Sequence, residues 1–216
     1  MSATRRIGAA GHEHGPDAPL HATAEALVRA ERAARVLLVE GISDVVALET
    51  LAEVDGIDLT RTVILPAGGA HAVGPFLRRF GPQGTGTLAG GLCDAAEAPF
   101  LRKGLRLAGW SGTPDDILGR AGFFVCDIDL EDELLRAVGL DAALEIIARE
   151  GEADALHTLQ AQAAWRDAPL AAQLRRFLSS RAGRKTRYAA LFVRAIPWDA
   201  HPRPLRAVLD VGRRAG

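Results

Sequence analysis

The stretch Arg35-Val-Leu-Leu-Val-Glu40-Gly41-Ile-Ser-Asp44 decides the fold. Residues 36–39 form a continuous branched apolar run with no polar alternation. Such a run is expected of a central parallel strand, buried on both faces. It stops at Glu40-Gly41. Ser43 can then cap a helix running through Asp44–Val54, with Val45, Leu48, Leu51 and Ala52 at helical spacing and Gly56 ending it. Glutamate is a poor helix cap, so Glu40, directly on a buried strand end, calls for a reason other than capping.

The same alternation extends outward. Upstream, the Ala-rich segment His21–Ala34 predicts a helix. Residues 1–20, rich in Gly, Ala, His and Pro, predict a disordered tail in which His12 and His14 are solvated rather than metal-bound. Downstream, Thr62–Leu65 predicts a second buried strand, ending in Pro66-Ala-Gly-Gly69. His71–Phe80 predicts a helix, and Thr87–Leu92 a third strand running into Cys93-Asp94. Ala96–Ala108 predicts a further helix and Trp110–Asp116 a loop. Phe123–Cys126 predicts a fourth strand, followed by Asp127-Ile-Asp-Leu-Glu131. The class is α/β: a parallel four-stranded sheet flanked by helices. Residues 132–216 hold no strand-like run and predict four or five helices, with breaks near Gly151, Pro169, Gly183 and Pro202. The expected organisation is a tail at 1–20, an α/β domain at 21–139 and a helical extension packed on it at 140–216.

Composition narrows the function classes. A chain of 216 residues that is 48% hydrophobic can bury one sizeable core. Its net charge of −1 means that any nucleic-acid surface must be local. Cys93 and Cys126, far apart and outside any C-x-x-C or Cys/His spacing, argue against structural zinc and a disulfide scaffold. No apolar run reaches the ~18 residues of a membrane span, and no apolar segment follows Arg5 and Arg6. A soluble cytoplasmic protein is expected.

Acids fall at the carboxyl ends of three strands: Glu40 after the first, Asp94 after the third, and Asp127, Asp129 and Glu131 after the fourth. Asp44, four residues beyond Glu40, points back toward the same edge. The carboxyl edge of an open parallel sheet is where ligands bind. Gathered carboxylates repel one another unless a cation neutralises them, and hard oxygen donors select Mg²⁺ or Mn²⁺. Taken singly, Asp44, Asp94 and Asp129 also read as ordinary helix caps.

The motif Val36-Leu-Leu-Val-Glu40-Gly41-Ile-Ser-Asp44 resembles the opening of the TOPRIM fold, shared by topoisomerases, bacterial primases and certain nucleases. Glu40 matches that fold's glutamate, and Gly41 the glycine that lets the backbone turn. The ordered set of Glu40, Asp44, a Gly-Gly turn, Asp94, Glu131 and a distant Lys185 resembles the nuclease domain of the OLD (overcoming lysogenization defect) family over about residues 33–190. This resemblance implies Mg²⁺-dependent phosphodiester hydrolysis of nucleic acid, DNA in the first instance. It implies Glu40 and Lys185 as catalytic residues, and Glu40, Asp44, Asp94, Asp129 and Glu131 as metal ligands. TOPRIM domains carry Asp-x-Asp after the third strand, where this chain reads Asp94-Ala95-Ala96-Glu97. Either Glu97 or Asp129 supplies the missing ligand, or the second metal site is weakened. OLD proteins also carry an ATPase domain, and no G-x-x-x-x-G-K-[ST] occurs here. A separately encoded ATPase partner and a catalytically weak binding module are therefore alternatives, as is a nucleotidyl transferase.

From Arg175 to Arg187 there are six basic residues and no acid. Arg176, Arg181, Arg184 and Arg187 are the expected nucleic-acid contacts, since guanidinium groups suit phosphate. A solvated face paired with acids from elsewhere is the competing reading. Within the run lies Lys185, one of two lysines among 26 basic residues. The resemblance places it at the scissile phosphate.

Overall fold

The computed structural model describes residues 18–69 and 72–213. The expected tail, with His12 and His14, lies outside these residues except for Ala18–Leu20, which open helix α1 (Ala18–Ala30). That helix begins three residues before His21. Next come β1 (Arg35–Val39), α2 (Ile42–Val54), β2 (Thr62–Pro66), α3 (Val73–Phe80), β3 (Leu88–Asp94), α4 (Ala98–Leu107), α5 (Ile117–Arg120) and β4 (Phe123–Cys126). The chain continues through α6 (Leu130–Val138), α7 (Leu140–Arg149), α8 (Ala153–Gln160), α9 (Leu170–Ser179) and α10 (Arg184–Ala195). A 3-10 turn at Trp198–Ala200 then leads into α11 (Arg203–Arg213). No described helix is long and apolar enough to cross a membrane.

The four strands are parallel, in the order β2-β1-β3-β4. Side chains alternate along β1 and divide the core in two. Leu37 and Val39 join Leu48 and Leu51 of α2, Leu134 of α6, Phe177 of α9, Tyr188 and Phe192 of α10, and Leu205 and Leu209 of α11. Val36 and Leu38 face Ala26 of α1, Leu77 of α3, Leu101 and Leu105 of α4, and Ile117 of α5. Each of the Leu, Ile, Val and Phe side chains among these, taken fully out of water, contributes about 1.5–3 kcal/mol. Residues 140–213 thus share one core with the sheet: Thr62 Oγ1 donates to the Gly212 carbonyl at 2.9 Å, and a Cβ at Gly212 would lie 2.8 Å from Leu37. At Gly91 the strands come so close that a Cβ would meet the Leu38 carbonyl oxygen at 1.9 Å.

Topology then places the site. From β1 the chain crosses through α2 to β2, and returns past β1 to lay β3 and β4 on the other side. The helices following β1 and β3 therefore pack on opposite faces, α2 on one and α4 on the other. A crevice is left outside the carboxyl ends of β1 and β3, the switch point at which ligands bind in open α/β sheets. Glu40 and Asp94 stand at those two strand ends.

Candidate functional site

Glu40 is held from below by a glycine turn. Its carbonyl accepts the N–H groups of Gly68 and Gly69 at 3.0 and 3.2 Å, and these glycines have φ of 78° and 112°. Positive φ at two successive residues requires glycine, so the Gly-Gly after β2 fixes the strand end that carries Glu40. Gly41 differs from expectation. Its φ of −143° and ψ of −175° are extended, and a Cβ there would meet only the Asp44 carboxylate, at an ordinary 3.7 Å. No left-handed turn demands a glycine at that position. Gly41 rather than Ser43 is the cap of α2, and its N–H donates to Asp44 Oδ2 at 2.8 Å. Asp44, buried in the first helical turn, is thereby aimed back at the strand end.

The acids from β1, α2, β3 and α6 form one electrostatic cluster. Burial pushes the Asp44 carboxyl up to about 7; its hydrogen bond from Gly41 opposes the rise, while the charges of Asp94, Glu40 and Glu131 add to it. Burial, together with Glu40, Asp129 and Glu131, also pushes Asp94 up to about 7, and Lys185 works the other way. Glu97 rises to about 8 through burial, a side-chain hydrogen bond with Glu40, and the charges of Glu40, Asp94 and Asp44. Lys185 enters from α10, its ammonium 3.0 Å from the buried Glu131 carboxylate. Burial disfavours its charge, but Glu131 overcomes this, so the lysine holds its proton more tightly than usual. Glu40, Asp44, Asp94, Glu131 and Lys185 thus act on one another's charge across residues far apart in sequence, with Glu131 and Lys185 in direct contact.

Asp129 and Asp127 are engaged elsewhere. Asp129 caps α6, accepting the Asp132 N–H at 2.8 Å on one oxygen, and pairs with Arg175 of α9 through the other. Asp127 is exposed and pairs with Arg136 at 3.1 Å. The sequence reading missed Asp132 and Glu133, both buried and held at 2.8 Å by the same Arg136. The i+3 and i+4 spacing to Arg136 was the available signal.

The basic run is only partly a phosphate surface. Arg184 is buried, stacked 3.9 Å over the Phe177 ring, and donates to Glu152, to the Phe177 carbonyl and to Ser180. This corrects its expected contact with nucleic acid: its guanidinium is enclosed by the packing of α8, α9 and α10. Glu152 also takes Arg187 at 3.0 Å and the Tyr188 hydroxyl at 3.0 Å, so Arg187 is a half-exposed partner in the same hub. Arg176 and Arg181 remain on the surface, Arg181 only 3.9 Å from Glu152 with most of its side chain in solvent. The segment lacks acids in sequence, yet Glu152, about thirty residues upstream, neutralises much of it.

The donor set at the switch point consists of carboxylate oxygens, and their mutual repulsion is what a hard divalent cation relieves; in donor type and charge the residues fit one. Among the described residues, no three His, Cys, Asp or Glu side chains are already drawn into a closed cage. The acids would have to rotate inward to share an ion. Cavity size does not locate this site. A groove of about 560 Å³ lies instead between β4, Arg136 and Pro202–Pro204, and touches none of Glu40, Asp44, Asp94 or Glu131. Cys93 and Cys126 are free buried thiols, as expected of core residues.

No protein-family model and no curated protein matches the chain. Solved structures do. The C-terminal region of the Burkholderia pseudomallei OLD protein superposes with a TM-score of 0.64 and 24% identity, over 84% of this chain and 97% of that one. The C-terminal region of the Xanthomonas campestris pv. campestris OLD protein superposes with a TM-score of 0.64 and 24% identity, over 84% and 92%. The parallel sheet, its switch point and the helices behind it therefore have the fold of the C-terminal region of OLD proteins.

Proposed function

We propose that this chain hydrolyses phosphodiester bonds in nucleic acid, DNA in the first instance, with Mg²⁺ or Mn²⁺ held at the carboxyl edge of the sheet. The observation that carries the reading is the Glu131–Lys185 ion pair, 3.0 Å, set among Glu40, Asp44 and Asp94, acids whose charges act on one another at the carboxyl edge of the sheet. Those four carboxylates would hold the cation. Once bound, it would supply Lewis acidity to a phosphoryl oxygen and offset the acids' repulsion of a phosphate. Lys185, exchanging its Glu131 partner for the scissile phosphate, would place a compact positive charge where negative charge develops. Arg176 and Arg181, on the surface of the same helical layer, would grip the backbone on either side.

A second reading is supported by Ala96 and by the open arrangement of the acids. In it the chain is a catalytically weak module that binds nucleic acid or a separately encoded ATPase. Nicking of supercoiled plasmid in EDTA, Mg²⁺ and Mn²⁺ separates the two. Hydrolysis is expected with either ion and not in EDTA. Lys185→Ala is expected to cut the rate by about 10²–10³, the usual cost of losing one transition-state charge contact, while DNA is still bound. A wild-type chain that binds DNA and cation but cleaves nothing would establish the weaker module instead.

A further inference from the structure

The acid that Ala96 lacks has a structural replacement. The Glu97 N–H donates to the Asp94 carbonyl at 3.0 Å, closing a four-residue reverse turn at the end of β3. Such a turn brings its fourth residue back beside its first. Glu97 therefore returns to the strand end, whereas Ala96, two residues after Asp94, is exposed and carries no donor atom. Glu97 and Glu40 both line one small slot at the ends of β1 and β3. The slot has a volume of about 20 Å³, and apart from the two glutamates its walls are mostly apolar, Leu38, Leu92, Leu101 and Phe123 among them. It has room for one water at most, so the Glu97 carboxylate has no polar retreat on that side. The other possible replacement, Asp129, has both oxygens engaged, one by the Asp132 N–H and one by Arg175.

We propose that Glu97, carried back beside Asp94 by the reverse turn and lining the same slot as Glu40, completes the cation-binding set of this chain in the place that Ala96 leaves empty, and that Asp129 does not. The inference rests on the divalent-cation reading above. Asp129 instead holds the start of α6, and with it Glu131, against α9 through Arg175.

Calorimetric titration of the metal-free protein with Mn²⁺, alongside Mn²⁺ electron paramagnetic resonance to count bound ions, tests this without any substrate. Glu97→Gln is expected to weaken Mn²⁺ binding at least about tenfold or to remove one ion, since even the loss of groups outside a metal's direct ligands costs 10–100-fold. Asp129→Asn is expected to keep Mn²⁺ affinity within about threefold, below the range such ligand losses reach, and to lower the unfolding midpoint. The double variant Ala96→Asp, Glu97→Gln is expected to regain affinity by restoring an acid two residues after Asp94, a gain that a merely unfolded Glu97→Gln protein could not give. Wild-type affinity in Glu97→Gln, or a loss in Asp129→Asn equal to that of Glu97→Gln, would overturn the assignment. Failure of the wild-type protein itself to bind Mn²⁺ would instead remove the cation reading beneath it.

Discussion

Asp44→Asn isolates the cost of keeping a charge in the crevice. Asp44 is buried at the start of α2, with its proton held up to about 7 instead of the ordinary 3.8. A carboxyl that binds its proton more tightly in the folded state favours folding fully below the unfolded value. That contribution is lost as pH rises through the folded one. The gap is roughly three pH units, and at 1.36 kcal/mol each it amounts to about 4 kcal/mol by pH 8, an upper figure because relaxation and water entry soften burial. Asparagine keeps the shape and can still accept the Gly41 N–H, so the substitution removes the charge and little else. In EDTA, urea unfolding should give a stability difference near zero at pH 4 that grows in favour of Asp44→Asn toward pH 8, by about 2–4 kcal/mol. In Mn²⁺ the ordering should reverse, because only the wild type gains binding energy from the ion. A stability difference that does not change with pH, or a variant less stable than wild type at pH 8 in EDTA, would refute the electrostatic account of the cluster.

Two further outcomes follow from the packing. Arg184→Ala should cost about 2–3 kcal/mol in urea unfolding by removing a buried guanidinium and leaving half-buried Glu152 short of a partner, whereas Arg176→Ala should leave stability unchanged and lower the salt slope of DNA binding by about one charge; an equal drop in salt slope for Arg184→Ala would return that residue to the nucleic-acid surface. Gly91→Ala, whose Cβ would fall 1.9 Å from the Leu38 oxygen and 2.5 Å from the Phe123 ring, should cost more than about 4 kcal/mol, read as a collapse of the thermal midpoint or of soluble yield.

The strands were legible because Val36–Val39, Val63–Leu65 and Phe123–Cys126 are apolar runs without polar alternation, while β3 had to be read through Gly90-Gly91. The acids were legible because they punctuate those runs: the position of Glu40 was set by Val39 and Gly41, not by composition. Breaks near Gly151, Pro169, Gly183 and Pro202 fell between helices in the structure for the same reason, since glycine and proline act locally. What escaped the sequence was whatever depends on contacts at long separation. Glu152 meets Arg184 and Tyr188 across more than thirty residues, so the basic run looked unneutralised. Helix α5 spans four residues, too few to show a period. Gly41 carried an expectation of a turn that its extended backbone does not make. The sequence placed Asp129 among the metal ligands and Glu97 only as its alternative; the turn at Asp94 and the partners of Asp129 are what weigh toward Glu97.

Helix α11 buries Leu205, Val208 and Leu209 against the sheet, and Gly212 closes over Leu37 and Thr62. During synthesis β1 therefore waits for a segment some 170 residues behind it, an unusually long wait for the central strand of a parallel sheet. Until residues 203–213 have left the ribosome, the part of β1 around Leu37 that Gly212 covers stays open. Apolar surface left uncovered at that stage is the kind that makes a partly made chain prone to aggregate.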